Sequence, residues 1–361
     1  MLYRKFGATG KELSILGFGC MRLPVLNDDT RQIDERKATE MLRHAIDQGV
    51  NYIDTAYPYH GMMSEPFLGK ALQDGYRAKV NLATKLPSWL IETSQDMDRY
   101  LNEQLERLQT EHIDFYLVHA FNRDRWNNLN KLGVFEFLNA AIADGRIGYA
   151  GFSFHDGLGL FKEIVDAYDW SFCQIQYNYL DENYQAGREG LEYAIARGMG
   201  TIIMEPLRGG KLASDIPADI QAVWDKAEIK RTPAEWGLRF LWDNPGIGVV
   251  LSGMTEMSHV TENLRVAGEG HPLSLTDKER NLIDEVKCLY KSMLKVNCTT
   301  CQYCLPCPEG VNIPSCFSQL NNAALFGHES ARAWYATLEP EKRASRCVSC
   351  GSCEPSCPQG I

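Results

Sequence analysis

Asn51-Tyr52-Ile53-Asp54-Thr55-Ala56-Tyr57-Pro58-Tyr59 reads as a short strand running out into a loop. Residues 37–49 before it repeat apolar positions at helical spacing, so a helix leads into the strand. Asp54 closes the strand, and Tyr59 lies on the loop beyond. An aspartate here also suits a helix cap, and a tyrosine also suits packing. Two later runs change that weighting: Lys85 ends the apolar run 80–84, and His119 ends 113–118. Asp, Tyr, Lys and His thus fall at or just past the ends of successive strands.

Outward from that stretch, helix and strand patterns alternate. Helices read at 36–48, 64–74, 94–108, 131–143, 157–168, 187–197, 232–243 and 256–267. Strands read at 16–20, 50–54, 80–85, 113–119, 147–153, 172–177, 199–204 and 247–252. The strands are short apolar runs between turn signals, as expected for strands buried on both faces. Strict alternation predicts a parallel sheet, and eight such units predict an α/β fold closed as a (β/α)8 TIM barrel. A doubly wound sheet is the alternative. No Gly-x-Gly-x-x-Gly follows a strand and opens a helix, and Gly17-Phe18-Gly19 lacks the third glycine. Residues 2–7 and 13–18 suggest a hairpin ahead of the barrel. In such a barrel, chemistry sits where strands end, which is where Asp54, Tyr59, Lys85 and His119 map.

The chain has 361 residues, enough for one large domain and a small one. Its net charge is −10, with no basic cluster of the kind that binds nucleic acid or an anionic membrane. No apolar run approaches the ~20 residues of a membrane span. The first residues carry no apolar core of a signal peptide, so the expected setting is cytoplasmic. Twelve cysteines are many for that setting, where clustered thiols hold metal more often than they form disulfides.

A phenol has a pKa of about 10 and is a poor acid at neutral pH unless that value is lowered. An ammonium beside it lowers it, and Lys85 is placed for that role with Asp54 fixing the lysine. His119 can orient a carbonyl oxygen or shuttle a proton. If hydride reached a carbonyl carbon, Tyr59 would protonate the developing alkoxide. A protein barrel has no hydride of its own, so a nicotinamide cofactor is implied.

This set of four resembles the catalytic tetrad of the aldo-keto reductases. Further stretches over residues 2–267 are similar to that family. Gly61-Met62-Met63-Ser64-Glu65 resembles its segment after the tetrad tyrosine, and Ile113 to His119 its histidine strand. The resemblance implies cofactor contacts at Gly19, Cys20 and Met21 on the end of the first strand, and at Asp54. It implies carboxamide contacts at Ser153 and Gln174, with Tyr177 stacking on the nicotinamide. Pro206, Leu207, Gly209, Gly210 and Leu212 would form the pyrophosphate loop. Gly253, His259, Glu262 and Asn263 would form the adenine end. Two departures stand out. Phe154, not Asn, follows Ser153, with His155 next. The loop after the last strand, 253–259, has no strong cation, and Glu256 there would repel a 2′-phosphate, while Arg265 lies later on the helix. NADP and NAD both stay open.

After residue 267 the pattern changes. Residues 273–294 read as one helix starting near Thr276, with Glu279 three residues on as a capping-box partner. The expected division is a barrel over 1–272, a connecting helix over 273–294 and a ferredoxin-like domain over 295–361. Cys347-x2-Cys350-x2-Cys353-x3-Cys357-Pro358 fits the bacterial ferredoxin pattern for 4Fe–4S clusters, in which the fourth cysteine serves the other cluster of a pair. Cys298-x2-Cys301-x2-Cys304-x2-Cys307-Pro308 is one residue shorter before its last cysteine. It resembles the branch of the family with a C-terminal ferredoxin-like module. The implied sets are Cys298, Cys301, Cys304 and Cys357 for one 4Fe–4S cluster, and Cys347, Cys350, Cys353 and Cys307 for the other. Cys316 is an alternative to Cys307. Zinc also binds paired Cys-x2-Cys, but each run here is a triple plus one. Of the rest, Cys173 reads as core packing, and Cys288 gets no role. The last motif ends close to Ile361, and a short tail beyond it is expected.

The resulting expectation is an NAD(P)-linked oxidoreductase acting on a small carbonyl or alcohol substrate, with two clusters that serve electron transfer to a protein partner. The competing reading is an iron–sulfur electron carrier or redox-responsive binding protein whose barrel has little reductase activity. No flavin motif bridges hydride and single-electron chemistry. The loops 120–130 and 206–230, with Trp126 and Trp224, suggest a partly aromatic rim around the substrate.

Overall fold

The structure is a computed structural model that describes residues 1–361 apart from 215, 299–302 and 358. The chain divides into two compact units, residues 1–209 with 234–275, and residues 210–233 with 276–361.

The first unit opens with an antiparallel hairpin, β1 (Tyr3–Lys5) and β2 (Glu12–Ser14), as its alternation predicted. Eight parallel strands follow and close into a barrel. They are β3 (Leu16–Gly19), β4 (Tyr52–Asp54), β5 (Asn81–Leu86), β6 (Ile113–Phe121), β7 (Ile147–Phe154), β8 (Phe172–Gln176), β9 (Gly200–Met204) and β10 (Val249–Gly253). Closure is made by β10 pairing with β3, Val250 opposite Leu16. The expected strands are all present, within about two residues at their ends. The helices between them are α1 (Glu35–Asp47), α2 (Ser64–Ala71), α3 (Ser94–Arg107), α4 (Arg123–Lys131), α5 (Val134–Ala143), α6 (Leu158–Ala167) and α7 (Gly187–Ala196). The second unit's α8 (Ala218–Trp224) comes next, then α9 (Pro233–Trp242) and α10 (Met257–Ala267).

The barrel interior is filled from below by the hairpin. Phe6 is fully buried among Leu13, Tyr52, Phe115, Leu117, Phe172, Ile202 and Val249. Its ring meets Phe115 edge-on at 5.5 Å. Gly200 and Gly248 make room for it, since a Cβ on either would stand 2.5 or 2.6 Å from the Phe6 ring. Truncating such a residue to alanine costs about 3–5 kcal/mol, because the barrel floor cannot collapse into the gap. Arg4 ties the hairpin down by donating to the carbonyls of Trp242, Asn244, Ile247 and Gly270.

Two helical expectations change. The helix read at 131–143 is the second of two, because Gly133, at φ +77°, ends α4 and starts α5. The segment 206–230, read as a loop, contains α8, whose Ile220, Val223 and Trp224 are buried. In the second unit α8 packs on α11 (Asp277–Ser292). Thr276 caps α11 with the predicted box: its hydroxyl accepts the Glu279 N–H, and Glu279 accepts the Thr276 N–H at 2.8 Å. Lys226–Glu285, Lys278–Glu228 and Arg231–Glu279 pair the two segments. The helix expected as a connector thus belongs to the same unit as the cysteine segment. Beyond it lie α12 (Ile313–Phe326), capped by Asn312, and α13 (His328–Ala336). Among the described residues no helix is long and apolar enough to cross a membrane.

Candidate active site at the barrel mouth and the cysteine segment

Register brings the four predicted residues together. Asp54 ends β4 and pairs with Ala83 of β5, two residues before Lys85. Lys85 is fully buried. Its ammonium donates to Asp54 Oδ1 at 2.7 Å, to the Thr55 carbonyl at 2.7 Å and to the Tyr59 hydroxyl at 3.4 Å. An ammonium has three N–H groups, and each has an acceptor here. The same ammonium lies 5.0 Å from the centre of the Tyr59 ring. Burial pulls Lys85 down, but Asp54 and Tyr59 outweigh it, so its pKa is raised and it stays charged. Asp54 is raised by burial against the pull of Lys85, and its Oδ2 is buried without a hydrogen-bond partner.

Tyr59 departs from expectation. Burial of its hydroxyl pushes the phenol above its ordinary value, and Lys85 only partly opposes this. The lysine limits the rise and does not produce a net fall, because removing water from around a phenolate outweighs one nearby cation that Asp54 already engages.

His119 sits where β6 and β7 slip register between Val118 and Phe121. A bulge of this kind adds a residue to one strand and re-aims its side chains. Ala120, in that slip, has φ +52°, and its N–H donates to Ser153 Oγ at 2.7 Å. The His119 ring stands edge-on to Tyr59 at 6.2 Å and 5.2 Å from the Trp89 ring. Its Nδ1 is buried without a partner. Burial, then Lys85, His155 and Arg125, hold its pKa well below the ordinary imidazole value, so it is neutral at pH 7.

A buried polar network backs the lysine strand. Glu65 is fully buried and accepts Thr84 Oγ1–H and Gln104 Nε2–H, each at 2.6 Å, with Arg107 3.5 Å away. Gln104 also donates to the Lys85 carbonyl and accepts from Tyr116. Glu65 was legible as part of its segment. Gln104 was missed, although it interrupts the buried stripe Met97, Tyr100, Leu101 of α3, where an apolar residue is the norm.

The remaining predicted contacts divide. Ser153 and Gln174 are paired neighbours across β7 and β8, both buried. Gln174 Nε2 lies 3.7 Å from Met204 Sδ, and its Oε1 has no partner. Cys20 is fully buried, with its thiol pushed up by burial and by Asp54. Met21 is exposed, and Gly19 lies against the Ser252 carbonyl. Tyr177 stacks on Phe240 at 6.0 Å and donates to Glu182, so one face of its ring is already covered. Pro206, Leu207 and Gly209 follow β9, while Gly210 and Leu212 belong to the second unit. Gly253 and Gly209 both border Arg22, which sequence reasoning did not single out; a Cβ at Gly209 would stand 2.7 Å from its guanidinium. Arg22 also pairs with Glu205 at 3.7 Å. Asn263 donates to Ser252 Oγ at 2.9 Å, and His259 is exposed near Thr255. Glu262 lies one turn before Arg265 on α10, and Arg265 is paired with Glu235. Glu256 is paired with Lys37 of α1 at 2.7 Å.

The aromatic rim is a correction. Trp126 is buried, edge-on to Phe121 and with its indole N–H on Glu163. Trp224 is buried in the second unit. The tryptophan beside His119 is Trp89, which is 40% exposed.

Residues 15–287 match the Aldo/keto reductase family. The chain belongs to that family. Residues 297–361 match a 4Fe-4S dicluster domain, so this aldo/keto reductase is an oxidoreductase with a 4Fe–4S domain. It is 30% identical over 233 residues to the uncharacterized oxidoreductase YrpG of Bacillus subtilis (strain 168), spanning 59% of this chain and 68% of the relative. It is 26% identical over 315 residues to L-galactose dehydrogenase of Arabidopsis thaliana, spanning 78% and 93%. The holo form of aldo-keto reductase AKR11C1 from Bacillus halodurans superposes with a TM-score of 0.66 at 25% identity, covering 79% of this chain and 96% of that one.

In the cysteine segment of this reductase, Cys301 lies outside the described residues. Among the described residues no three Cys, His, Asp or Glu side chains converge as a ready metal-ion set. Cys347 and Cys350 are exposed, and Cys298, Cys304, Cys307, Cys353 and Cys357 are partly so. The loop carrying the second run turns through left-handed residues at Ser349 and Gly351. The Ser349 N–H donates to Cys347 Sγ at 3.4 Å, and Cys350 Sγ lies 3.4 Å from Ser352 Oγ. Cys316 points to the Lys342 carbonyl at 3.8 Å. An all-thiol donor set on a loop that turns N–H groups toward sulfur fits an iron–sulfur cluster.

Proposed function

We propose that the barrel reduces a carbonyl compound to its alcohol, or runs the reverse oxidation, with NAD or NADP as the cofactor and Tyr59 as general acid or base. The observation carrying this reading is the full use of the Lys85 ammonium. Lys85 donates to the Tyr59 oxygen, so the phenol's own proton must be directed elsewhere, toward the barrel mouth. With its pKa raised, Tyr59 holds that proton across the neutral range and gives it to the oxygen of a polarised carbonyl. Lys85 then stabilises the phenolate left behind, and Asp54 keeps Lys85 charged and in place. Neutral His119 donates a hydrogen bond to the same carbonyl oxygen without competing as an acid.

A nicotinamide dinucleotide, when bound, supplies or accepts the hydride. The unpartnered Gln174 Oε1 suits an amide N–H of its carboxamide, with the Ser153 hydroxyl alongside. Bare Gly209 and Gly253 beside Arg22 suit a pyrophosphate, because phosphate pairs well with guanidinium and needs close backbone approach.

The cysteine segment is read as holding two 4Fe–4S clusters. Cys298, Cys301, Cys304 and Cys357 would hold one, and Cys347, Cys350, Cys353 and Cys307 the other. Such clusters pass single electrons, and a protein partner is the natural recipient. A cytoplasmic setting suits so many reduced thiols.

The test is NAD(P)H consumption with a panel of aldehydes and ketones by the full-length chain and by Tyr59→Phe. Loss of general acid catalysis predicts a fall of about 100- to 10,000-fold in kcat with cofactor binding retained. Turnover unchanged in Tyr59→Phe would remove the tyrosine from the mechanism.

A further inference from the structure

We infer that Arg125 reads an anionic group on the substrate, so that the carbonyl compounds taken at this mouth carry a carboxylate or a phosphate. The inference rests on the carbonyl-reductase reading above.

Arg125 is the third residue of α4, and Asn122 caps its backbone N–H at 2.9 Å. Its side chain folds back over the end of β6. One guanidinium N–H donates to the Ala120 carbonyl at 2.8 Å. The guanidinium carbon lies 5.4 Å from the centre of the Trp89 ring. That ring is 5.2 Å from His119, which is 6.2 Å from Tyr59. An unbroken series of contacts therefore runs from Tyr59 through His119 and Trp89 to Arg125.

What sets Arg125 apart is its lack of a counter-charge. Its neighbour Arg123 is paired at both ends of its fork with Glu163, at 2.8 Å each. In the barrel unit, among the described residues, only Arg4 and Arg125 have no carboxylate partner. Arg4 is satisfied by four backbone carbonyls. Arg125 has one carbonyl for five N–H donors. It is also partly buried, and loss of water pulls its pKa down. A desolvated cation without an anion is costly, and a ligand that brings the anion recovers that cost. Stacking on an indole leaves the edge of the guanidinium free, which is the geometry for gripping a carboxylate or phosphate with two parallel bonds. The charges around the mouth agree: Lys85 and Arg125 both act on His119 as positive neighbours.

The experiment compares matched substrates in the full-length chain with NAD(P)H. One pair is 4-oxobutanoate against butanal, and the other is glyceraldehyde 3-phosphate against glyceraldehyde. The wild type is expected to favour the anionic member of at least one pair. Arg125→Gln is expected to lower that preference by about 10- to 100-fold, mainly through KM, and Arg125→Lys to restore part of it. The pair with the larger loss identifies carboxylate or phosphate as the group read. Equal preference in wild type and Arg125→Gln overturns the inference. Tyr59-dependent reduction of butanal with no preference for the anion overturns it while leaving the reductase reading intact. If no aldehyde in the set is reduced, calorimetric titration with 4-oxobutanoate and with glyceraldehyde 3-phosphate decides. Binding of either lost in Arg125→Gln supports the anion site, and binding absent or unchanged for both overturns it.

Discussion

Lys85 Nζ stands 2.7 Å from Asp54 Oδ1 with both side chains out of water. Breaking a buried pair by removing one charge typically costs about 3–5 kcal/mol, because the other charge is left uncompensated. Asp54→Asn is therefore expected to lower the unfolding free energy by an amount of that order, read as a lower urea midpoint at unchanged slope. The pH dependence changes sign as well. In the wild type the Lys85 pKa is raised, so its contribution to stability is full below its unfolded value and is lost as pH rises through the folded one. In Asp54→Asn, burial dominates and depresses Lys85, so the variant gains stability as pH rises. Urea titrations at pH 7 and pH 9.5 read this directly; parallel curves for the two proteins would rule it out.

His60 fastens the loop that carries Tyr59 to its neighbour. Its Nε2 accepts the Leu23 N–H at 3.2 Å, and its Nδ1 donates to the Thr30 carbonyl at 2.7 Å. Only the neutral ring can do both. Burial lowers its pKa, so the stability it contributes is present above the unfolded value of about 6.5 and is lost as pH falls through the folded one. The melting temperature is expected to fall between pH 7 and pH 5, and to fall less in His60→Gln. The loss is that of one hydrogen bond, about 1 kcal/mol. An equal fall in both proteins would move the effect to His119 and His155, which burial also depresses.

Glu256 carries its own cation in Lys37. If the adenosine end of the cofactor reaches this loop, Glu256 disfavours a 2′-phosphate and Lys37 is too engaged to attract one. Glu256→Ala is expected to raise the NADPH-to-NADH ratio of kcat/KM about tenfold, by removing a repulsion and freeing an ammonium. A ratio that stays fixed would place the adenosine elsewhere.

For the cysteine segment, anaerobic reconstitution is expected to give about eight iron and eight sulfide per chain, as two 4Fe–4S cubes require. Cys357→Ala is expected to remove about half. Zinc without sulfide would instead mark a structural zinc site.

The strand ends were legible because mostly apolar runs of this kind, buried on both faces, stop at a charged or titratable residue at the mouth, as at Lys85 and His119. The capping box at Thr276 was legible because both its partners are written in the sequence. What escaped depended on long-range packing. Trp126 and Trp224 lie in segments that read as loops, yet tertiary contacts bury both. Trp89 and Arg125 are far apart in sequence and meet only because β5 and β6 are adjacent. The net rise in the Tyr59 pKa could not be read either, since it depends on how much water the fold removes.

The chain passes between its two units at three places, after residues 209, 233 and 275. A cut near residue 275 would free the barrel of its cysteine segment but leave α8 without α11, exposing Ile220, Val223 and Trp224 and breaking the Lys226–Glu285, Lys278–Glu228 and Arg231–Glu279 pairs. A barrel truncated there is expected to aggregate, while one that also replaces 210–233 with a short linker stays in solution. The aldo/keto reductase match runs through α8 to residue 287 and the 4Fe-4S match begins at 297, so α8 and most of α11 go with the reductase sequence and the iron–sulfur part joins it at one point. Removing only the chain beyond α11 therefore takes away the cysteine segment and leaves the α8–α11 ion pairs intact.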